Sequence, residues 1–289
     1  MLDTASRDIR EKGFVRLPGL AAGDALDRLR RAVGRIEELA ADRTASGGEF
    51  ILEAAGAGGW AAWQEGGGAI KGVLRSVDRI HHHVPEFDAV QRSLRLARGP
   101  VARCAGGVPG ELVNAFLWAK PPVVGSAKPW HQDMAFAPPG FDTREHGIVT
   151  IWIALEPATT RNGCLEFVPG SHTLGLFPHS GDRERLPGEA PLAKAVEPHI
   201  ADAHLVRAAE PVAVPLEPGS AVMFDGMVVH RSAPNTTEAE PRTAVSFVYR
   251  VPRPSWTRWE PAVPAGAAFD CGNSPVERRA QAAAPRARA

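Results

Sequence analysis

The stretch that decides the fold is Gly147-Ile148-Val149-Thr150-Ile151-Trp152-Ile153-Ala154-Leu155. In a β-strand, alternate side chains point to opposite faces of the sheet. One face of this stretch is therefore purely aliphatic, whereas the other carries the hydroxyl of Thr150 and the indole of Trp152. These two groups fit poorly in a dry core without partners, so their face is predicted to line a pocket, or else to meet solvent.

Short β-type runs of this kind recur from about residue 111, separated by glycine, proline and asparagine. The predicted strands cover residues 111–119, 129–136, 147–155, 164–168, 211–216, 220–224, 227–230 and 242–250. About eight strands at this spacing, without helices between them, favour a β-sandwich or jelly roll over a parallel sheet. The sequence thus predicts a mainly β fold with flanking helices.

The flanking helices come from the N-terminal part of the chain, where a short strand is predicted over residues 13–18. An apolar stripe at three- and four-residue steps then predicts an amphipathic helix. Its members are Leu26, Leu29, Val33, Ile36 and Leu39. A second helix is predicted around Phe87, Val90 and Leu94, and both helices are expected to pack outside the β core. Residues 43–70 are rich in glycine and alanine, and they predict a loop with short pieces of helix that could cover a cavity.

The predicted domain is a single one over residues 1–259. Residues 260–289 contain alanine, proline, glycine and arginine with almost no apolar anchors, which predicts a flexible C-terminal tail. A chain of 289 residues is long enough to bury a full core.

The charge balance argues for a small-molecule partner. Lys and Arg total 33, as do Asp and Glu, so the net charge is zero and nothing indicates binding to nucleic acid or to an anionic membrane. Three cysteines without CxxC spacing predict reduced thiols. The charged N-terminus lacks a secretory signal, and no apolar run approaches the roughly 18 residues of a spanning helix. We therefore expect a soluble cytoplasmic protein, whether monomer or homodimer.

Two potential metal ligands stand close together in Trp130-His131-Gln132-Asp133. In an extended chain, His131 and Asp133 project to one side and Gln132 to the other. An imidazole, a carboxylate and one distant histidine make the 2-His-1-carboxylate facial triad, which holds Fe(II) and leaves positions open for chemistry. The motif alone is weak evidence, because three-residue patterns recur by chance.

His230 is the candidate for the distant histidine, since it closes the predicted strand 227–230 immediately before a turn. Taken alone, it fits an ordinary half-buried histidine equally well. Arg242 opens the next strand twelve residues later. A buried arginine needs an anionic partner, and no acidic residue nearby in the sequence is an obvious one. A ligand carboxylate is therefore a natural partner for Arg242.

The remaining histidines are interpreted as non-ligands. His81, His82 and His83 are adjacent, so they cannot all point at one ion and are predicted to lie at the surface or at the rim of a substrate site. His172 follows the turn at Pro169-Gly170 instead of lying inside a strand, so it is predicted to be structural.

Together, these stretches resemble the phytanoyl-CoA dioxygenase family of Fe(II)/2-oxoglutarate oxygenases, which contains ectoine hydroxylases and many tailoring enzymes of bacterial secondary metabolism. The resemblance covers roughly residues 10–250. It rests on Lys120-Pro121-Pro122 running to Trp130-His131-Gln132-Asp133, on Asn162-Gly163-Cys164-Leu165-Glu166-Phe167-Val168-Pro169-Gly170-Ser171-His172, and on His230-Arg231-Ser232-Ala233-Pro234-Asn235 with Arg242. It implies a double-stranded β-helix core, the cupin-like jelly roll, and Fe(II), 2-oxoglutarate and O2 as cofactor and cosubstrates.

The resemblance also implies roles for individual residues. The iron ligands fall on His131, Asp133 and His230, and the arginine that pairs with the distal carboxylate of 2-oxoglutarate falls on Arg242. Further residues are implied to bind the cosubstrate: Ser232, Asn114 and Thr150. Family members often have glutamine where Asn114 stands, which is one methylene longer. A basic residue before the second helix, Arg75 or Arg79, could also reach the pocket.

Substrate contacts are expected from the aromatic and apolar residues near these motifs, although ordinary core packing explains any one of them equally well. The candidates are Met134, Phe136 and Trp152, with Trp256 and Trp259 near the C-terminal end. Arg231 and Arg250 are candidates for recognising an anionic substrate, against the alternative of ordinary surface arginines.

The resemblance implies a dioxygenase that hydroxylates an unactivated C–H bond of a small metabolite, in bacterial secondary-metabolite biosynthesis. Related halogenases replace the carboxylate ligand with Gly or Ala, whereas Asp133 is present. Desaturation, ring closure and epimerisation use the same triad and remain alternatives. Two further hypotheses are a catalytically silent jelly-roll binding protein and a cupin-type metalloenzyme that uses no 2-oxoglutarate.

Overall fold

Two antiparallel β-sheets pack face to face in the computed structural model, which describes residues 4–54, 68–137, 141–177, 179–180, 199–200 and 210–254. The strands are β1 Phe14–Leu17, β2 Phe50–Ala54, β3 Ala69–Val77, β4 Glu111–Lys120, β5 Lys128–His131, β6 His146–Ala154, β7 Leu165–Phe167, β8 His179–Ser180, β9 His199–Ile200, β10 Val212–Val214, β11 Ala221–Asp225, β12 His230–Ser232 and β13 Arg242–Pro252. The larger sheet has the order β1-β11-β6-β13-β4-β3-β2, the smaller one has the order β10-β7-β12-β5, and β8 and β9 pair separately. The prediction of a mainly β jelly roll is confirmed.

Helices cover the outer face of the larger sheet. They are α1 Thr4–Lys12, α2 Asp24–Ala40, α3 Ile80–His83, α4 Glu86–Ser93 and α5 Ala102–Cys104, with a π-helical turn at Ala97–Val101 and 3-10 turns at Asp133–Phe136 and Ser171–Thr173. Leu29 and Ile36 of α2 share one apolar cluster with Ile151 and Ile153 of β6. The aliphatic face of the deciding stretch therefore meets the helices, which pack outside the β core as predicted.

The inner faces of the two sheets meet over an aromatic cluster. Phe14 of β1 stacks on Phe167 of β7 with ring centroids 4.5 Å apart, and Phe224 of β11 contacts the same ring edge-on at 5.2 Å. Trp152 joins this cluster from β6. Phe224 and Trp152 also line the cavity between the sheets, so this cluster forms part of its wall.

The predicted loop over residues 43–70 is wrong in part, because it contains β2 and the beginning of β3. β3 escaped recognition because Gly72 interrupts its apolar pattern. Gly72 has a φ of +70°, and a Cβ there would lie 2.8 Å from the carbonyl oxygen of Ala41. Only glycine fits at this position. Residues 55–67 lie outside the described part, as do Trp256, Trp259 and the predicted tail 260–289.

Two predicted strands have different bounds in the structure. The strand predicted over 129–136 ends at His131, and Asp133 begins a 3-10 turn. The strand predicted over 227–230 is a turn that begins at Asp225, where the backbone N–H of Met227 donates to the Asp225 carboxylate at 2.8 Å. His230 consequently opens β12 and does not close a strand. Asp225-Gly226 is a common turn dipeptide, which the apolar residues after it obscured.

The part of the chain that the structure describes contains no helix that is both long and apolar enough to cross a membrane.

Candidate metal centre and its cavity

A cavity of about 1180 Å³ opens between the two sheets. Its floor is a grid of side chains from β4, β6 and β13, which the strand register places in rows. Thr150 lies beside Val248, which in turn faces Asn114. Trp152 lies in the next row, beside Ser246. The mixed face of the deciding stretch therefore lines a pocket and does not meet solvent, which settles the two alternatives left by the sequence.

His131, Asp133 and His230 come together at one side of this cavity. Each offers one ligand atom, and these atoms all lie within 4.8 Å of one another. His230 pairs directly with His131 across β12 and β5, so the register itself sets the two imidazoles side by side, with ring centroids 4.1 Å apart. The Nε2 atoms of both rings lie 3.5 Å from Oδ1 of Asp133.

The two histidines are oriented by backbone carbonyls. Nδ1 of His131 donates to the carbonyl of Pro129 at 2.8 Å, and Nδ1 of His230 donates to the carbonyl of Val228 at 3.0 Å. These bonds place the proton on Nδ1 of each ring. Nε2 is left unprotonated on the side of Asp133, where its lone pair can bind a metal. A metal-binding histidine typically has its second ring nitrogen held in this way.

The protonation states suit metal binding. Burial, with the neighbouring His230, lowers the pKa of His131 to about 3, and burial also lowers the pKa of His230. Burial raises the pKa of Asp133, but the nearby imidazoles and the hydroxyl of Thr150 outweigh it, so that pKa lies below its usual range. Two neutral imidazoles and a carboxylate are the forms that bind a divalent cation.

Thr150 supports Asp133 directly. Its Oγ1 donates to Oδ2 of Asp133 at 2.7 Å, while Oδ1 faces the imidazoles. The sequence resemblance implied that this hydroxyl contacts the cosubstrate. In the structure Thr150 does line the cavity, but its hydroxyl orients a candidate metal ligand.

Gln132 and His179 fix the backbone between the two clustered ligands. The Gln132 backbone is extended, and its buried side chain points away from the cavity, as predicted. Its amide nitrogen donates to the carbonyls of Gly175 and Met227, and its amide oxygen accepts from the N–H of Phe177. The backbone N–H of Gln132 donates to Nε2 of His179 at 3.1 Å. The sequence analysis missed His179, whose only signal was a histidine 46 residues after the motif.

Arg242 lies in the same cavity and is only 3% exposed. Nη1 donates to the carbonyl of Trp118 at a long 3.4 Å, and its guanidinium carbon lies 5.4 Å from the ring centroid of Trp152. Burial lowers its pKa to about 9, so the group still carries its charge at neutral pH. Among the described residues no carboxylate forms an ion pair with Arg242, and its Nε has no hydrogen-bond partner.

Asn114 and Ser232 also line the cavity. The amide nitrogen of Asn114 donates to the Asp78 carboxylate at 2.8 Å, and its amide oxygen accepts from the N–H of Ala115. Both ends of the Asn114 amide are thus bound by other groups of the protein. Its side chain is one methylene shorter than the glutamine that family members often have at this position. Ser232 is buried on β12, and β5 and β12 bring it opposite Lys128.

Both basic residues considered before the second helix line the cavity. Arg75 is 5% exposed and donates to the carbonyl of Ala127 at 3.0 Å. Arg79 is half-exposed and forms an ion pair with Glu49 at 2.6 Å. Arg75 therefore lies among the buried groups of the cavity, whereas Arg79 lies in a charged cluster at its edge.

The substrate candidates divide into two groups. Phe136 and Trp152 line the cavity, and Phe136 meets the His131 ring edge-on at 5.7 Å. Met134 does not line it, because the 3-10 turn after Asp133 directs this side chain into a separate apolar cluster. Met134 thus fits the alternative of ordinary core packing.

Arg231 and Arg250 fit the alternative of ordinary surface arginines. Neither residue lines the cavity, since Arg231 pairs with Glu166 at 2.9 Å and Arg250 pairs with Glu111. A glutamate on the neighbouring strand supplies the counter-charge in both cases.

The other histidines behave as the sequence indicated. Within the described ranges, the His131, Asp133 and His230 group is the one that could hold a metal. His83 lies at the edge of the cavity and bonds Glu49 at 2.5 Å, while His82 is exposed. His172 is buried and bonds the carbonyl of Arg10 at 3.0 Å, which ties the 3-10 turn after β7 to α1.

A family model described as Phytanoyl-CoA dioxygenase (PhyH) matches residues 9–244. Phytanoyl-CoA dioxygenase domain-containing protein 1 of Danio rerio is 33% identical over 154 residues, which cover 52% of this chain and 47% of the relative. A methylphosphonate hydroxylase of Gimesia maris is 32% identical over 170 residues, covering 58% of this chain and 56% of the relative. The chain therefore spans about half the length of these curated relatives.

The fold is similar to that of solved structures. EvdO2 from Micromonospora carbonacea var. aurantiaca, crystallised with 2-oxoglutarate, superposes with a TM-score of 0.58 at 25% identity. The similarity covers 90% of this chain and 98% of EvdO2.

Proposed function

The chain belongs to the phytanoyl-CoA dioxygenase family, and from this premise we propose that it is an Fe(II)- and 2-oxoglutarate-dependent oxygenase. Its reaction is the hydroxylation of an unactivated C–H bond in a small metabolite, as a tailoring step in biosynthesis. Cyclisation, desaturation and epimerisation remain the alternative outcomes of the same chemistry.

One observation carries this proposal: a His-Asp-His cluster shares one cavity with Arg242, a buried arginine that pairs with no carboxylate among the described residues. An uncompensated buried cation costs several kcal/mol of stability. Such a group persists where a ligand supplies the opposite charge. The donor set of two imidazoles and one carboxylate fits ferrous iron, which binds to such triads with positions left open.

His131, Asp133 and His230 would hold the iron. When bound with 2-oxoglutarate and O2, the iron supplies the chemistry that couples loss of carbon dioxide and formation of succinate to oxidation of a C–H bond. The chain supplies orientation. Thr150 and the two backbone carbonyls hold the three ligand side chains in place, so little reorganisation is needed when the metal binds.

Arg242 would bind the distal carboxylate of 2-oxoglutarate. A guanidinium offers a planar pair of N–H donors that matches a carboxylate, and Nε of Arg242 is available for such a bond. Trp152 packs beside the guanidinium and keeps water from that end of the cavity. Exclusion of water strengthens the ion pair.

Asp133 supports hydroxylation over halogenation, because the carboxylate occupies the ligand position that a chloride would need. The relative named methylphosphonate hydroxylase supports the same reaction type. We also place the protein in the cytoplasm, in keeping with the buried reduced thiols of Cys104 and Cys164.

Release of succinate tests the proposal. The purified protein, incubated with Fe(II), 2-oxoglutarate and O2, is expected to form succinate even without a substrate, at a slow rate. The His131→Ala variant should lose this activity, because the cluster then offers only two ligands. His82→Ala is the matched control, since His82 is exposed and lies outside the cluster.

Equal succinate formation by wild type and His131→Ala would contradict the proposal, and absence of succinate from both would favour a silent binding protein. Once a substrate is found by screening, a product heavier by one oxygen identifies hydroxylation. A loss of two hydrogens identifies desaturation or ring closure, and an unchanged mass with inverted stereochemistry identifies epimerisation.

A further inference from the structure

The strand β5 ends at His131 and leads into Asp133, but its own pairing is short and irregular. It has four residues and lies at the edge of the smaller sheet, beside β12. β12 pairs with it at His131 and at Lys128, and the register shifts between these two positions. Such a shift disrupts the ladder of hydrogen bonds locally. Strand pairing alone therefore fixes the position of β5 only weakly, and contacts outside the ladder have to hold it.

The two residues before the strand's first described neighbour contacts, Ser126 and Ala127, are bound by charged side chains of the larger sheet. The backbone N–H of Ser126 donates to Oε1 of Glu53 on β2 at 2.9 Å, and the carbonyl of Ser126 accepts from Nζ of Lys120 on β4 at 2.7 Å. The carbonyl of Ala127 accepts from Nη2 of Arg75 on β3 at 3.0 Å. We call Glu53, Arg75 and Lys120 the charged clamp. It binds the chain immediately before β5 begins.

The charged clamp also reaches the strand of the third candidate ligand. Nζ of Lys120 donates to the carbonyl of Ala233 at 2.6 Å and to that of Ser232 at 3.3 Å. Ser232 is the last residue of β12, which begins with His230. One group of side chains therefore joins the start of β5 to the end of β12, and these two strands carry the imidazoles of His131 and His230.

All three side chains of the charged clamp are buried. Burial raises the pKa of Glu53, while the charges of Arg75 and Lys120 and the hydrogen bond from Ser126 oppose this rise. Buried charges are costly, and apolar side chains of similar volume often replace them without loss of stability. Apolar side chains could not bind backbone groups, however. The charged groups therefore add a defined position for residues 126–127.

We propose that Glu53 is a positioning residue of the metal centre: by binding the N–H of Ser126, it sets where β5 begins and hence where His131 and Asp133 lie. Ser126 precedes His131 by five positions, so a displacement at Ser126 is passed on along a short strand. Arg75 and Lys120 line the cavity themselves, whereas Glu53 does not. Glu53 can therefore be changed without changing the lining. The inference rests on the proposed function in taking the His-Asp-His cluster as a metal centre.

Two variants separate the reach of the Glu53 side chain from its charge. Glu53→Asp keeps the charge but withdraws the carboxylate by one methylene, so the bond to Ser126 is lost. Glu53→Gln keeps an oxygen at the same reach and removes the charge. The affinity of the full chain for Mn(II) is measured by calorimetric titration, at a temperature at which circular dichroism shows every variant to be folded. Glu53→Asp should bind Mn(II) about tenfold more weakly than wild type, the lower end for a residue that orients metal ligands indirectly.

Glu53→Gln should bind Mn(II) as tightly as wild type, although its thermal unfolding should occur at a lower temperature because two buried cations lose a counter-charge. A purely stabilising role would move the unfolding temperature and leave the metal affinity of both folded variants unchanged. The matched control is Ser46→Ala. The hydroxyl of Ser46 accepts from the N–H of Leu52 at 2.9 Å, so this change removes a backbone contact beside Glu53 on β2 without touching residues 126–127. Its Mn(II) affinity should equal that of wild type.

The inference is overturned if Glu53→Asp keeps the affinity of wild type, or if Glu53→Gln or Ser46→Ala binds Mn(II) as weakly as Glu53→Asp. In the latter cases the charge, or a general loosening of β2, would be the cause. Succinate release is scored separately. If wild type forms succinate while Glu53→Asp keeps its Mn(II) affinity, the positioning role alone is wrong. If wild type binds Mn(II) and forms no succinate, the proposed function fails and the affinity ratio still decides the role of Glu53. If wild type binds no Mn(II), both fail.

Discussion

Replacement of Thr150 by valine tests the role that the structure gives to this side chain. Oγ1 of Thr150 donates to Oδ2 of Asp133 at 2.7 Å, whereas Oδ1 faces His131 and His230. Valine has nearly the same shape as threonine, so Thr150→Val removes one hydrogen bond and leaves no cavity. The candidate metal ligand Asp133 then lacks the donor that holds its second oxygen.

The size of the effect follows from that single bond. A hydrogen bond to a charged group contributes about 1.5–3 kcal/mol, and 1.4 kcal/mol corresponds to a factor of ten. The Asp133 side chain is 23% exposed, so water can replace part of the lost donor. We therefore expect the lower end, a rise of about tenfold in the dissociation constant for Fe(II). Losses of this size are usual for residues that orient metal ligands.

Anaerobic titration with Fe(II) measures this constant, and Mn(II) provides an air-stable check. Thr150→Ser restores a hydroxyl and should recover most of the affinity. Thr236→Val is the matched control, because its hydroxyl bonds a carbonyl in an exposed turn away from the cavity. With saturating metal, the KM for 2-oxoglutarate of Thr150→Val should equal that of wild type.

The opposite pattern would refute this reasoning. If Thr150→Val leaves the metal affinity unchanged and raises the KM for 2-oxoglutarate, the hydroxyl contacts the cosubstrate, as the sequence resemblance implied. The two readouts therefore distinguish the structural assignment from the assignment by sequence.

Three further predictions concern Arg242, His179 and the ligand histidines. Arg242→Gln should raise the KM for 2-oxoglutarate about a hundredfold in the succinate assay, since a bidentate charged contact is lost; an unchanged KM would remove Arg242 from the cosubstrate site. His179→Phe removes the acceptor for the Gln132 N–H and should weaken Mn(II) binding about tenfold, whereas a fall in thermal stability alone would show a purely structural role. The metal-free protein should lose stability to urea as pH falls below about 6.5. Folded His131 has a pKa of about 3 against an ordinary 6.5, so the unfolded chain binds the extra proton in this range. His131→Gln should show a smaller loss between pH 6.5 and 4, and an identical loss would contradict this cause.

The elements with a regular hydrophobic period were predictable from the sequence. β6 alternates without interruption, so pattern alone predicted its type and its bounds to within one residue, and the apolar stripe through Leu29, Val33 and Ile36 predicted α2 as a helix. β3 was not predictable in the same way. Gly72 adopts a positive φ in the middle of β3. Only glycine fits there, because the backbone at the end of α2 lies against it. A contact between distant parts of the chain leaves no periodic signal.

The residues of the candidate site were also readable from the sequence, but their contacts were not. His131, Asp133, His230 and Arg242 stand out by residue type, and all four line one cavity. Met134 stands beside them in the sequence and yet points elsewhere, because the chain enters a 3-10 turn at Asp133. Arg231 follows His230 directly and is neutralised by Glu166 on the neighbouring strand.

The sequence by itself determined the fold class, the ligand types and the choice of Arg242 as a carboxylate-binding residue, because hydrophobic period and side-chain chemistry are local properties. Only the tertiary structure decided that the register of β12 against β5 sets His230 beside His131, and that the hydroxyl of Thr150 bonds the carboxylate of Asp133. These contacts join residues on different elements of the chain. Strand register and side-chain rotamer are settled by packing of the whole core, which no short stretch of sequence records.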